Sequence, residues 1–334
     1  MSGIAEITHH QLSHDGFIVG LVSYGASICD IRVKDIAHPL VLGLKNPDDY
    51  RRQSSHLGAT AGRVANRIAK GAFDLNGQSY QLDQNENGRH MLHGGAQGCG
   101  VQNWQFSKLD KTSALLTLQQ PDGWMGFPGN VTFTTHYEIT GKEELTITYS
   151  AKTDRPCPIN LAHHSYFKLD EAEDIRHHLF QIEADHYLPV NEDNIPTGTI
   201  APVAGTKFDF TSPRLLEGNR FDHNFCLKDA MIKERLSRKS KTMRKIAFVQ
   251  SQLSGISLSL YSDQQGVQFY TAHNLHEDLQ TIHNRPYHAY DGFCLEPQIW
   301  PDACNHDAFP SSIIAEDETY HQSLRLVFEK GRSL

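Results

Sequence analysis

The feature that most constrains the fold is a recurrence of short apolar runs with a two-residue period, divided by glycine turns. Candidate strands fall at Phe17–Val22, Ala114–Leu118, Val131–Ile139, Glu144–Ser150, His178–Glu183, Ile246–Gln250, Ile256–Tyr261, Val267–Thr271 and Ser323–Glu329. In most of them β-branched or aromatic residues alternate with polar ones. One face of a pleated strand is then apolar and the other wettable. Asn76-Gly77, Asp122-Gly123, Pro128-Gly129, Thr140-Gly141 and Gln265-Gly266 supply turn residues between the runs. Val131–Ile139 and Glu144–Ser150, joined through Thr140-Gly141, read as a hairpin. Long patterns of period 3.6 are scarce and no strand–helix–strand alternation is visible, which argues against a parallel α/β fold. The expected architecture is all-β, a large antiparallel β-sandwich. Candidate site residues are spread from Asn66 to Glu296, so the whole chain, residues 1–334, is expected to fold as one domain around them.

Charge and composition narrow the partners. The net charge of −8 favours neither nucleic acid nor an anionic membrane. No apolar run approaches the roughly 20 residues of a membrane helix, and the N-terminus lacks a secretory pattern. Cys29, Cys99, Cys157, Cys226, Cys294 and Cys304 are scattered with no C-x-x-C pair, as expected for free thiols in a cytoplasmic protein. Histidine is abundant, at 20 residues, with doublets at His9-His10, His163-His164 and His177-His178. Helical zinc-binding spacing is absent, so no metal is expected. The segment Lys228–Lys245 carries eight Lys or Arg residues in 18 positions without interleaved aromatics, and reads as a solvated loop or short helix.

Several residues stand out for chemistry. Asn66 and Arg67 lie in a stretch with glycines at 58, 62 and 71, where backbone can approach a ligand closely and the guanidinium fork can orient hydroxyls. His93 precedes Gly94-Gly95, a turn that gives an imidazole room to enter a cleft. The doublet His163-His164 offers an acid with a reference pKa of about 6.5. On a strand its two members face opposite sides, so only one enters a given site. Asp222 and Gln268 are suited to bonding sugar hydroxyls. Glu296 sits in apolar company before Pro297, where strand pairing should weaken. Partial desolvation would raise its basicity, as a general base requires. Each residue alone has a structural explanation: a salt bridge, a loop cap, a satisfied core histidine. Together they offer an acid, a base and hydroxyl-binding groups, the equipment for moving protons on a polyol.

With these residues in view, the chain resembles the aldose 1-epimerase (galactose mutarotase) family over nearly its full length. The resemblance runs through Tyr24-Gly25-Ala26, Val41-Leu42-Gly43, Gly62–Ile68, Leu92–Gly95, Gly126–Asn130 and Asn160–Leu169. It continues through Phe221–Phe225, Val267–Thr271, Leu295–Gln298, Pro301-Asp302 and Phe309-Pro310-Ser311. It implies a galactose mutarotase-like β-sandwich with an open sugar-binding cleft, Glu296 as the base and His164 as the acid. It further implies that Asn66, Arg67, His93, Asp222 and Gln268 bind the sugar, with no cofactor. The expected partner is a small monosaccharide, and the expected state a monomer or homodimer. The chain departs from the usual pattern at His163, at Ala272-His273-Asn274 and at Glu316-Asp317. These departures bear on substrate preference. Rival expectations are an epimerase of a different or phosphorylated sugar, served by the basic stretch, and a non-catalytic carbohydrate-binding protein.

Overall fold

The structure is a computed structural model, and it describes residues 6–228 and 242–331. Its strands form a large antiparallel sheet packed over a smaller one. The large sheet has eight strands, in the order His178–Ile182, Arg244–Ser251, Ile256–Ser262, Thr319–Lys330, Glu144–Thr153, Val131–Gly141, Ser113–Gln120 and Gln105–Leu109. The smaller has five: Ala201–Pro202, Ala184–Tyr187, Asp222–Leu227, Gly266–Tyr270 and Cys294–Gln298. An N-terminal meander of His9–His14, Phe17–Val22 and Ser27–Arg32 completes the main framework. Among the described residues the helical elements are 3-10 turns of three to five residues. None is long or apolar enough to cross a membrane.

Alternation explains the packing. Val131, Phe133, Thr135, Tyr137 and Ile139 are buried, and the residues between them are more accessible. Leu145, Ile147 and Tyr149 on the paired strand, with Leu324, Leu326 and Phe328 beyond it, continue the same apolar face. Phe225, Val267, Phe269 and Leu295 of the smaller sheet join that cluster, as do Val19, Leu21, Ile28 and Ile31 of the meander. Each fully buried side chain of this size contributes about 1.5–3 kcal/mol.

All nine sequence-predicted strands are present, with ends that move by at most four residues. The Val131–Ile139 hairpin forms, with Ile139 opposite Leu145. The six cysteines are free. Most of the basic stretch lies outside the described residues; at its flanks Lys228 pairs with Glu183 at 2.9 Å and the Lys245 ammonium covers the Phe248 ring. One expectation fails. Pairing does not weaken before Pro297, which sits inside the Cys294–Gln298 strand opposite Val267. That strand is the edge of its sheet, where the missing proline N–H leaves no ladder partner stranded. Gln322 Nε2 donates to the Pro297 carbonyl at 2.8 Å from outside the sheet.

Candidate active site

A cavity of about 270 Å³ opens between the smaller sheet and the loops that precede it. This is near the lower end of the roughly 300–1,000 Å³ typical of small-molecule pockets. Asn66, Arg67, His93, His164, Asp222 and Glu296 line it, together with Ser54, Ser55, His56, Leu92, Tyr166, Tyr270, Asn274 and Leu275. Six of the seven residues singled out in the sequence therefore share one surface. The seventh, Gln268, is buried behind it and holds Asp222: its Nε2 donates to Asp222 Oδ1 at 2.7 Å.

Two short segments deliver the first wall. Arg67 pairs with Leu92 and Ile68 with Met91 in a two-residue ladder. His93 N–H donates to the Asn66 carbonyl at 3.0 Å, and Asn66 N–H donates to His93 Nδ1 at 3.2 Å. Because Nδ1 is an acceptor, a neutral His93 carries its proton on Nε2. The segments approach so closely that a Cβ on Gly94 would lie 2.1 Å from the Gly62 carbonyl oxygen, which requires glycine there. Arg67 is clamped by Glu86, with Nε 2.8 Å from Oε2 and Nη2 2.7 Å from Oε1. Its remaining nitrogen, Nη1, points toward Asp222 Oδ2 at 3.9 Å.

The second wall is the smaller sheet. Gln268 is the cross-strand partner of Asn224 on one side and of Glu296 on the other, and Asp222 is opposite Tyr270. Glu296 is almost fully buried, and its Oε2 has no hydrogen-bond partner. Burial first, and the nearby Asp222 carboxylate second, push its pKa well above the ordinary carboxylate value; Arg67 opposes them.

His164 stands between the walls on the strand Ala162–His164, which pairs with Ala59–Ala61. Its Nε2 is 3.8 Å from Glu296 Oε1, and its Nδ1 is 3.7 Å from the Cys294 thiol sulfur. Burial pushes its pKa down to about 3. In the sugar-free cavity burial thus favours the uncharged form of both groups. His163 obeys the strand alternation and faces away, buried, with both ring nitrogens unpartnered. The Cys294 sulfur, a His164 ring nitrogen and a Glu296 oxygen lie within 4.8 Å of one another, the one such three-ligand group among the described residues.

The sequence reading gave no role to His56, Tyr166, Tyr270 or Glu86. Tyr166 lies two residues from His164 and Tyr270 two from Gln268, an alternation signal that places each on the side of its neighbour. The Tyr166 ring sits 5.2 Å from that of His164 and 6.1 Å from that of Tyr270, forming an aromatic floor. Glu86 and His56 lie in loops, where no periodicity marks direction.

This geometry agrees with comparisons to known proteins. The sequence profile of the aldose 1-epimerase family matches residues 8–327. The chain is 38% identical to the galactose mutarotase of Sus scrofa over 98% of its own length and 95% of the relative's. It is 34% identical to the aldose 1-epimerase of Escherichia coli strain K12, over 88% and 86% of the two chains. Its fold is similar to the crystal structure of an aldose epimerase homologue from C. elegans, with a TM-score of 0.88, 25% identity, and coverage of 97% and 99%.

Proposed function

The chain belongs to the aldose 1-epimerase family and interconverts the α and β anomers of aldoses; from that premise we propose that Glu296 and His164 are the pair that moves the protons. The observation that carries this reading is their 3.8 Å separation in a buried cavity, with one carboxylate oxygen left without a protein partner. The hydroxyl oxygen and the ring oxygen of an aldose share the anomeric carbon. A base for one and an acid for the other must therefore reach into the same cavity.

Glu296 takes the proton of the C1 hydroxyl while His164 gives a proton to the ring oxygen, and the C1–O5 bond breaks. The aldehyde rotates about C1–C2. Glu296 then returns its proton to the carbonyl oxygen, His164 removes one from the O5 hydroxyl, and the ring closes with C1 inverted. One proton is shared by the pair throughout, on His164 before opening and on Glu296 after it. Burial favours the second placement in the sugar-free cavity, because it carries no charge. Hydroxyls bonded to the carboxylate favour the first. Arg67 and His93 steady charge at the ring oxygen, and Asn66 and Asp222, the latter braced by Gln268, bond the remaining hydroxyls.

The substrates are free aldohexoses, galactose and glucose. Arg67 is the single Lys or Arg among the described lining residues, and its charge is already paired with Glu86, which leaves little positive charge to hold a phosphate. The whole chain, residues 1–334, acts as one domain without a cofactor, as a cytoplasmic monomer or homodimer. Polarimetry of freshly dissolved α-galactose tests the reading. Native protein accelerates the approach to equilibrium and Glu296→Gln does not; full activity in that variant removes Glu296 from the role.

A further inference from the structure

We propose that His56 is a further sugar-contacting residue of this cavity, its Nε2 pairing with a hydroxyl of the bound aldose away from C1. The inference deepens the reading of the cavity as the sugar site and rests on it.

Three imidazoles share the cavity wall. The His56 ring lies 4.9 Å from that of His93 and 6.1 Å from that of His164. The other two have tasks within the protein framework. His93 accepts from the Asn66 amide, and His164 lies between the Cys294 thiol and Glu296. His56 has none of these ties. Its Nδ1 is buried with no hydrogen-bond partner, which leaves Nε2 as the ring nitrogen open to a ligand in the cavity that His56 lines. Burial lowers its pKa to about 4, so at neutral pH the ring has one N–H and one lone pair, suited to a hydroxyl rather than an anion.

The backbone is built to hold this ring in place. His56 has φ of 53°, in the left-handed region that few non-glycine residues occupy. Four hydrogen bonds fix the loop around it. Tyr166 Oη donates to the Ser55 carbonyl at 2.9 Å, and Leu57 N–H to Gln53 Oε1 at 3.3 Å. Gly58 N–H donates to the His164 carbonyl at 3.0 Å, and Ala59 N–H to the His56 carbonyl at 3.0 Å. The lining residues Tyr166 and His164 are themselves anchors of the loop. A strained position fixed this firmly, with its side chain lacking a protein partner, is where binding residues concentrate.

The test compares native protein with His56→Gln and with His56→Phe, which keeps a ring and removes both nitrogens. Galactose and its monodeoxy analogues are measured by titration calorimetry and, where they turn over, by polarimetry. For galactose, KM and Kd should rise roughly 5- to 30-fold in His56→Phe, with kcat within about threefold of native and partial recovery in His56→Gln. One deoxygalactose, lacking the partner hydroxyl, should bind native and variant alike. In native protein, the Nε2 resonance of His56 should shift on titration with galactose, a readout that needs no variant. An equal loss of affinity for every deoxy analogue, a fall in kcat with KM unchanged, or an unmoved Nε2 resonance would each overturn the proposal. Failure of the underlying cavity reading looks different: Glu296→Gln would keep its activity. Failure confined to His56 leaves Glu296→Gln inactive and moves no KM.

Discussion

The large sheet and the cavity wall are made from the same pleated backbone and bury different kinds of side chain. In the large sheet, buried positions such as Phe133, Ile147, Leu324 and Leu326 are apolar, the Tyr137 hydroxyl donates to the Ala26 carbonyl at 2.5 Å, and the polar atoms left without a partner include the Thr135 and Tyr149 hydroxyls. In the cavity wall, Glu296, Asn224 and Gln268 are buried on short strands, and each keeps a polar atom without a partner. Each such atom costs about 1–3 kcal/mol. The large sheet buries a mostly apolar face. The wall gives some stability up, and of these groups Glu296 faces the cavity, where a sugar can complete it.

Substitutions that separate stability from activity test this contrast. The largest effect belongs to Glu296→Gln, which should slow anomer exchange by about 10²–10⁴-fold while leaving the melting temperature unchanged or higher; a large loss of Tm would make Glu296 a structural group. The pH profile sharpens the same point. In the sugar-free protein the pair holds one proton from about pH 3, where His164 protonates, up to the raised pKa of Glu296. The bell of kcat/KM should therefore have its acid limb well below the ordinary imidazole value of about 6.5, and its alkaline limb above the ordinary carboxylate range. An acid limb at 6.5 would place the proton differently.

On the other side of the contrast, Leu324→Ala should lower stability by about 2–5 kcal/mol in denaturant titrations with KM and kcat near native. Gln268→Leu should raise the KM for galactose roughly fivefold, about 1 kcal/mol, by freeing the Asp222 carboxylate, with little change in kcat. The smallest change is expected from His163→Leu, because His163 faces away from the sugar: activity should stay within about threefold of native. Its effect shows in acid. Burial holds the folded His163 at a pKa of about 3, so below about pH 6.5 the unfolded chain takes a proton that the folded chain refuses. Native stability falls with pH across that window, and the leucine variant should lose less.

The legibility of the two regions differs for the same reason. Strands such as Val131–Gly141 and Ile256–Ser262 announce themselves because one face is apolar over many residues. The Cys294–Gln298 strand, buried on both faces and containing a proline, has no alternation to read. The site residues Asn66, Arg67, His93, His164, Asp222 and Glu296 could be picked out by chemistry and by family resemblance. Their convergence depends on cross-strand register, which sequence spacing does not encode. Gln268 shows the limit: its type fits a sugar contact, but its place one strand in from Glu296 makes it a brace for Asp222. His56 shows the converse, a functional side chain aimed by hydrogen bonds to Tyr166 and His164 far along the chain.

The amide of Gly58 bonded to the carbonyl of His164 has a practical consequence for anyone wishing to retarget this enzyme. The loop ending at Gly58 is not a detachable cassette: lengthening or regrafting it would drag the proton donor out of alignment with its carboxyl partner. Exchanging the side chain at position 56 alone leaves that tether intact, so a library confined to this single site explores new sugars without dismantling the reaction.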